Sequence, residues 1–237
     1  MNILSILSVY DWFALLGFIA AWAVYAAYAR RVNANESSLL QVTNRYRVDW
    51  LMQTTARDPR MIDSVITQTL SQTPSFFCST TILVIGGLLA VLGTSDKAAE
   101  LVREIPFAAR TSALLFDAKL ITLVVIFVYA FFRFSWSMRL YTFVALVIGG
   151  MPPPKTFESG THDRKAYAAR AAKLVALAAE SFNDGLRAYY FTFAVAAWFV
   201  SPFAFAMATA VVIVILYQRE FKSDVLAVLE SQPPQTD

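Results

Sequence analysis

LLFDAKLITLVVIFVYAFFRFSWSMRLYTFVALVIGGMPPP, residues 114 to 154, is the stretch on which the reading of the fold turns. From Leu114 to the prolines it stays apolar, with charge only at Asp117, Lys119, Arg133 and Arg139. As one α-helix it would reach on the order of 55 Å, whereas the hydrocarbon core of a bilayer is about 30 Å thick. Such a helix crosses the membrane and continues past it, with Arg133 and Arg139 marking where it leaves the lipid. The spacing therefore predicts an all-α, multi-spanning membrane helix bundle with long helices extending into the cytoplasm.

Composition points the same way. Of 237 residues 57% are hydrophobic and 16% charged, with mean hydropathy +0.52, whereas a soluble domain carries about a quarter charged residues. Three further apolar runs accompany the central one. YDWFALLGFIAAWAVYAAYARR has about 20 residues between Asp11 and Arg30, enough to span a bilayer. No positive charge precedes it and Arg30 with Arg31 follows it, so it reads as an uncleaved anchor with its N-terminus outside. PSFFCSTTILVIGGLLAVLGT, Pro74–Thr94, is again one membrane thickness and begins with a proline suited to a first helical turn.

The run from Leu186 to Tyr217 admits two readings, since roughly 32 residues are too many for one crossing and few for two. It can cross once with a kink near Pro202, leaving both chain ends outside, or turn back at Ser201 and Pro202 and return YQREFK to the cytoplasm. Arms of about 16 residues, roughly 24 Å, fall short of the lipid core, which favours the single crossing. The expected layout is one integral membrane domain over 1–237, with transmembrane helices near 10–29, 74–94, 114–134 and 197–217. Cytoplasmic helices are expected near 36–73, 136–151 and 163–185.

The polar segments carry helical periodicity. Leu39, Val42, Tyr46 and Trp50 recur at helical spacing among Arg45, Arg47 and Asp49. In the alanine-rich HDRKAYAARAAKLVALAAESF, Tyr167, Ala171, Leu174, Ala178 and Phe182 form one stripe, so this helix should pack closely on a neighbour. Arg30, Arg31, Arg45, Arg47, Arg57 and Arg60 precede the second run, and eight basic residues lie from Arg133 to Arg187. The loop between, with Lys97, Arg103 and Arg110, is less basic. By the positive-inside rule both heavily basic regions face the cytoplasm.

Residues that catalysis needs are scarce. Cys78 is the single cysteine, inside an apolar run, and reads as a small hydrophobe. His162 is the single histidine, in the polar loop ESGTHDRK, which removes paired-histidine metal and heme sites, and no glycine-rich phosphate loop occurs. No cofactor and no metal is expected. Asp117 and Lys119 are the candidate intramembrane charges, placed near a helix end from which both side chains can snorkel to the headgroups. FNDGLRAYYF, residues 182 to 191, sets Asn183, Asp184, Gly185 and Arg187 before an apolar run as a candidate polar cluster or headgroup-binding site. Its DGLRAY resembles the DGxxAR core of the CDP-alcohol phosphotransferases, but Tyr189 replaces the arginine and the other aspartates are missing. Gly185 would let a neighbour approach closely, and Arg187 could meet lipid phosphate or an acid among Asp49, Asp58 and Asp63.

Taken in order, WLMQTTARDPRMIDSVITQTL, PSFFCSTTILVIGGLLAVLG, FFRFSWSMRLYTFVALVIGG and FNDGLRAYYFTFAVAAWFVSPFAFAMATAVVIVILYQREFKS resemble the bacterial membrane family known as domain of unknown function 599. The FNDGLRAYYF and LYQREFKS blocks carry most of the likeness. It implies a small multi-spanning protein of the bacterial inner membrane, and it implies no reaction. The function expected is non-enzymatic association, as a homo-oligomer or as an accessory subunit of a larger membrane complex. Small-residue faces at Gly17 and Ala21 and at Gly86, Gly87 and Ala90 motivate it. An oligomeric transporter or pore is the alternative, and a lipid- or headgroup-binding protein or enzyme at the cytoplasmic face is a second. The expected partners are membrane lipids and other membrane subunits. Nucleic acid is not among them, because topology accounts for the positive charge behind a pI of about 9.0.

Overall fold

The computed structural model describes residues 7–35, 38–94 and 112–231, with backbone alone for 32–35. The expected outside loop with Lys97, Arg103 and Arg110 lies outside the described residues. Among the described residues the chain is entirely helical: α1 (Val9–Asn35), α2 (Leu39–Thr54), α3 (Met61–Leu92), α4 (Ala113–Gly149), α5 (Pro154–Glu158), α6 (Arg164–Trp198), α7 (Pro202–Phe221) and α8 (Asp224–Glu230). Four of them, α1, α3, α4 and α7, are long and apolar enough to cross a membrane. This is an all-α membrane protein.

The central apolar run forms one unbroken helix of 37 residues, because neither glycine nor proline interrupts it before Gly149. Helix α3 departs from expectation. It starts at Met61 rather than Pro74, which lies buried in its interior. Pro74 has no N–H to give the Leu70 carbonyl, yet the flanking segments are helical on both sides and absorb the loss. The expected helix 36–73 is accordingly two, α2 and the start of α3. Ser38 caps α2, its Oγ accepting from the Gln41 amide at 3.2 Å.

The single kinked crossing of Leu186–Tyr217 is overturned. The chain reverses between α6 and α7, so that Trp198 stacks on Phe205 with ring centres 5.0 Å apart while Arg219 donates to the Tyr190 hydroxyl. In one kinked helix Tyr190 and Arg219 would lie about 40 Å apart. Ser201 Oγ accepts from the Ala204 amide at 3.0 Å and Pro202 is the first residue of α7. That pairing is a helix start, an N-cap followed by proline. The length argument failed because α6 does not begin at Leu186. It runs unbroken from Arg164, and its last turns are covered by protein.

The helices gather in two compact units. The first comprises Met1–Val32, Thr80–Phe131 and Leu186–Arg219. In it Phe18 and Trp22 of α1 meet Phe191 of α6 at 5.6 and 5.1 Å. Phe18 also lies 5.0 Å from Phe205 of α7, and Tyr28 lies 6.4 Å from Tyr217. Helices α1 and α7 therefore run parallel, and the start of α1 and the end of α7 emerge at opposite ends of this unit. Thr81 and Tyr189 share a hydrogen bond of 2.6 Å between α3 and α6.

The second unit comprises Asn33–Ser79, Phe132–Gly185 and Glu220–Asp237. Its core joins Leu140, Tyr141, Val144 and Ile148 of α4 to Ala168, Ala171, Ala172, Val175 and Ala178 of α6. The alanines let the two backbones approach closely, and hydroxyls exploit it. Ser137 Oγ donates to the Ala178 carbonyl and Ser181 Oγ to the Arg133 carbonyl, each at 2.8 Å. Helix α8 rests on α2, where the Tyr46 hydroxyl donates to the Leu229 carbonyl at 3.1 Å.

Candidate functional site

Within the first unit a buried polar group is built where three helix ends meet. Ser8 and Asp11 form a reciprocal cap on α1: Ser8 Oγ donates to Asp11 Oδ2 at 2.7 Å and accepts from the Asp11 amide at 3.2 Å. The other carboxylate oxygen, Oδ1, accepts the indole N–H of Trp198 at 2.7 Å. Trp198 closes α6, and its carbonyl is one of the last four that a helix leaves without an internal donor. Lys119 Nζ donates to it at 2.9 Å. Both charges complement a helix dipole, the carboxylate at the start of α1 and the ammonium at the end of α6.

Lys119 is 1% exposed and Asp11 4%. The expectation that Lys119 snorkels is thus overturned: the free carbonyl of Trp198 turns it inward, with the Trp198 and Phe199 rings 5.5 and 5.6 Å from Nζ. Asp117, two residues before it, does not join it, and its Oδ1 is buried with no hydrogen-bond partner among the described residues. Reading the sequence missed Asp11 and Trp198. Asp11 was visible as the acid opening the first apolar run, but nothing marked its partner.

The candidate polar residues Asn183, Asp184, Gly185 and Arg187 all lie on α6. In the second unit Asp184 pairs with Arg133 of α4, Oδ2 to Nη2 at 2.5 Å. Next to it a methyl placed on Gly185 would stand 2.5 Å from Phe134 Cε1. Phe134 is fully buried between Phe77 and Phe182 at 5.3 and 5.6 Å, so the ring cannot yield. Asn183 is half-buried beside them. Arg187 belongs to the first unit, where it is buried with its guanidinium 6.0 Å from the Tyr25 ring centre. Arg133 is the partner the sequence hid, because it lies 51 residues upstream on a different helix.

A second acid–base group in the same unit was foreshadowed only as loop charges. Asp63, in the first turn of α3, accepts at one oxygen from Trp50 Nε1, Thr54 Oγ1 and Arg57 Nη1, each at 2.8 Å. Arg60 donates to the Thr54, Met151 and Pro152 carbonyls at 3.2, 3.0 and 2.6 Å, fastening the α2–α3 turn to the end of α4. Burial pulls the Arg47 guanidinium below its ordinary value, an effect that Tyr141 partly offsets. His162 is exposed and Cys78 half-buried. The paired charges described here, Asp117 apart, hold helix ends or join two helices, and none of them aligns a nucleophile with a base.

No curated protein and no solved structure matches the chain. The family model described as "Protein of unknown function, DUF599" matches residues 13–225. With all but its two ends so covered, the chain belongs to that family.

Proposed function

We propose that the protein acts by association within the bacterial inner membrane, assembling with further copies of itself through faces that its own fold leaves open. One observation carries this reading. Among the described residues, a methyl built on Gly17 of α1, or on Gly86 or Gly87 of α3, meets nothing within 4 Å, and Ala90 of α3 is exposed as well. Small residues on apolar helices allow close backbone approach, which drives helix association in lipid. Inside the second unit the same device is already satisfied between α4 and α6, and at α1 and α3 it awaits a partner.

In this reading the N-terminus lies outside, and residues 36–73 and 152–185 face the cytoplasm, supported by the concentration of arginine and lysine there. The test is the mass of the purified protein in mild detergent. We expect a homo-oligomer that falls to monomer in Gly17→Leu or Gly87→Leu, each of which fills an open face without touching the protomer core. A stoichiometric foreign chain in the purified material would instead favour the accessory-subunit role. A wild-type protein that is monomeric in detergent and in bilayer discs would sink both.

A further inference from the structure

Near the start of α6, a groove of about 430 Å³ opens against the end of α4. Val147 of α4 and Ala171, Leu174 and Leu177 of α6 give it an apolar floor. Tyr167 closes one end. Its hydroxyl donates to the Val147 carbonyl at 3.0 Å, a bond between the two helices that fixes the ring as a wall. Arg170 and Lys173 stand at the rim with exposed side chains, the Arg170 guanidinium 5.6 Å from the Tyr167 ring centre. No acid is found among the described lining residues. Asp163 is engaged as the cap of α6, its Oδ1 accepting from the Lys165 and Ala166 amides at 2.8 and 3.2 Å.

An apolar trough with two cations on its lip complements a molecule that joins an acyl chain to an anionic head. We infer that the groove binds an anionic phospholipid, its phosphate between Arg170 and Lys173 and the first part of one acyl chain along Val147, Leu174 and Leu177. The volume lies within the range of small-ligand sites, roughly 300–1,000 Å³, and suits a chain segment rather than a whole lipid. A soluble anion would use the cations and leave the floor wet. A neutral lipid would cover the floor and leave two cations without a counter-charge, and each basic residue near a headgroup favours an anionic one. In the proposed topology, on which this inference rests, the groove lies on the cytoplasmic extension of α4 and α6 and meets anionic phospholipid from the inner leaflet.

The full-length protein in neutral detergent is stripped of lipid and titrated with phosphatidylglycerol or with phosphatidylcholine of the same acyl chains, and bound lipid is counted by native mass spectrometry. The anionic lipid should bind about tenfold more tightly, and Arg170→Gln with Lys173→Gln should abolish that preference. Arg164→Gln with Lys165→Gln, which removes equal charge from the same helix outside the groove, should preserve it. Leu177→Glu, which leaves both cations in place, should weaken phosphatidylglycerol as much as the first pair does. Equal affinity for the two lipids overturns the inference, as does equal loss in the two double variants. Displacement of the lipid by millimolar inorganic phosphate also overturns it, since the site would then recognise the anion alone.

Discussion

At Trp198 one residue answers two opposite charges, the backbone carbonyl receiving Lys119 and the indole N–H reaching Asp11. Removing one member of such a buried group leaves the other without compensation. Asp11→Ala should therefore destabilise the protein by roughly 3–5 kcal/mol, and Trp198→Phe, which keeps a smaller aromatic ring and the carbonyl but loses the indole N–H, by about 1–3 kcal/mol. Thermal unfolding in mild detergent measures both, and an Asp11→Ala loss no larger than that of the exposed Phe13→Ala would refute the account. Gly185→Ala meets the Phe134 ring and should cost about 1–3 kcal/mol. Phe134→Leu placed in the same chain should recover part of that loss, a coupling that a double-mutant cycle reads directly. Charges inside apolar sequence were legible one at a time: Lys119, Asp117 and Asp184 all stood out. Their partners were not, because pairing depends on where another helix ends, and periodicity along one helix carries no information about that.

Among the elements, those with a long uninterrupted period were the legible ones. The overshoot of α4 follows from its unbroken apolar run, and the close packing of α6 on α4 follows from its alanine stripe. What misled was proline. At Pro74 it looked like a beginning and is interior, and at Pro202 it looked like a kink and is a beginning. The distinguishing signal at the second site was the serine before it, since Ser-Pro supplies a capping oxygen and then a residue that needs no hydrogen-bond acceptor. Ser201→Ala should accordingly cost about 1 kcal/mol and Ser201→Gly only a few tenths, read from the unfolding midpoint of the full chain. Equal losses in the two variants would mean that the hydroxyl does not cap α7.

Over the whole molecule, membrane class and family were legible from composition and from blocks distributed along the chain, while the path of its last third was not. A count of residues against lipid thickness treated Leu186–Trp198 as a free-standing arm. In the structure that arm is the end of a longer helix and is flanked by the aromatic rings of α1 and α7, so lipid matching does not set its length. The parallel course of α1 and α7 then places the end of α7 on the side of Arg30 and Arg31. With those arginines inside, protease added to sealed cells should remove a tag at the N-terminus and spare one at the C-terminus until the cells are opened. Removal of both from intact cells would contradict the reversal at Ser201. The same geometry constrains how the protein can be handled genetically. In that proposed topology, two copies fused end to end through a flexible linker would force one of them to insert upside down, because the end of the first and the start of the second would lie in opposite compartments. A tandem dimer would then need an additional crossing helix as its linker, and a short loop would not join the two ends of one copy to give a circular permutant.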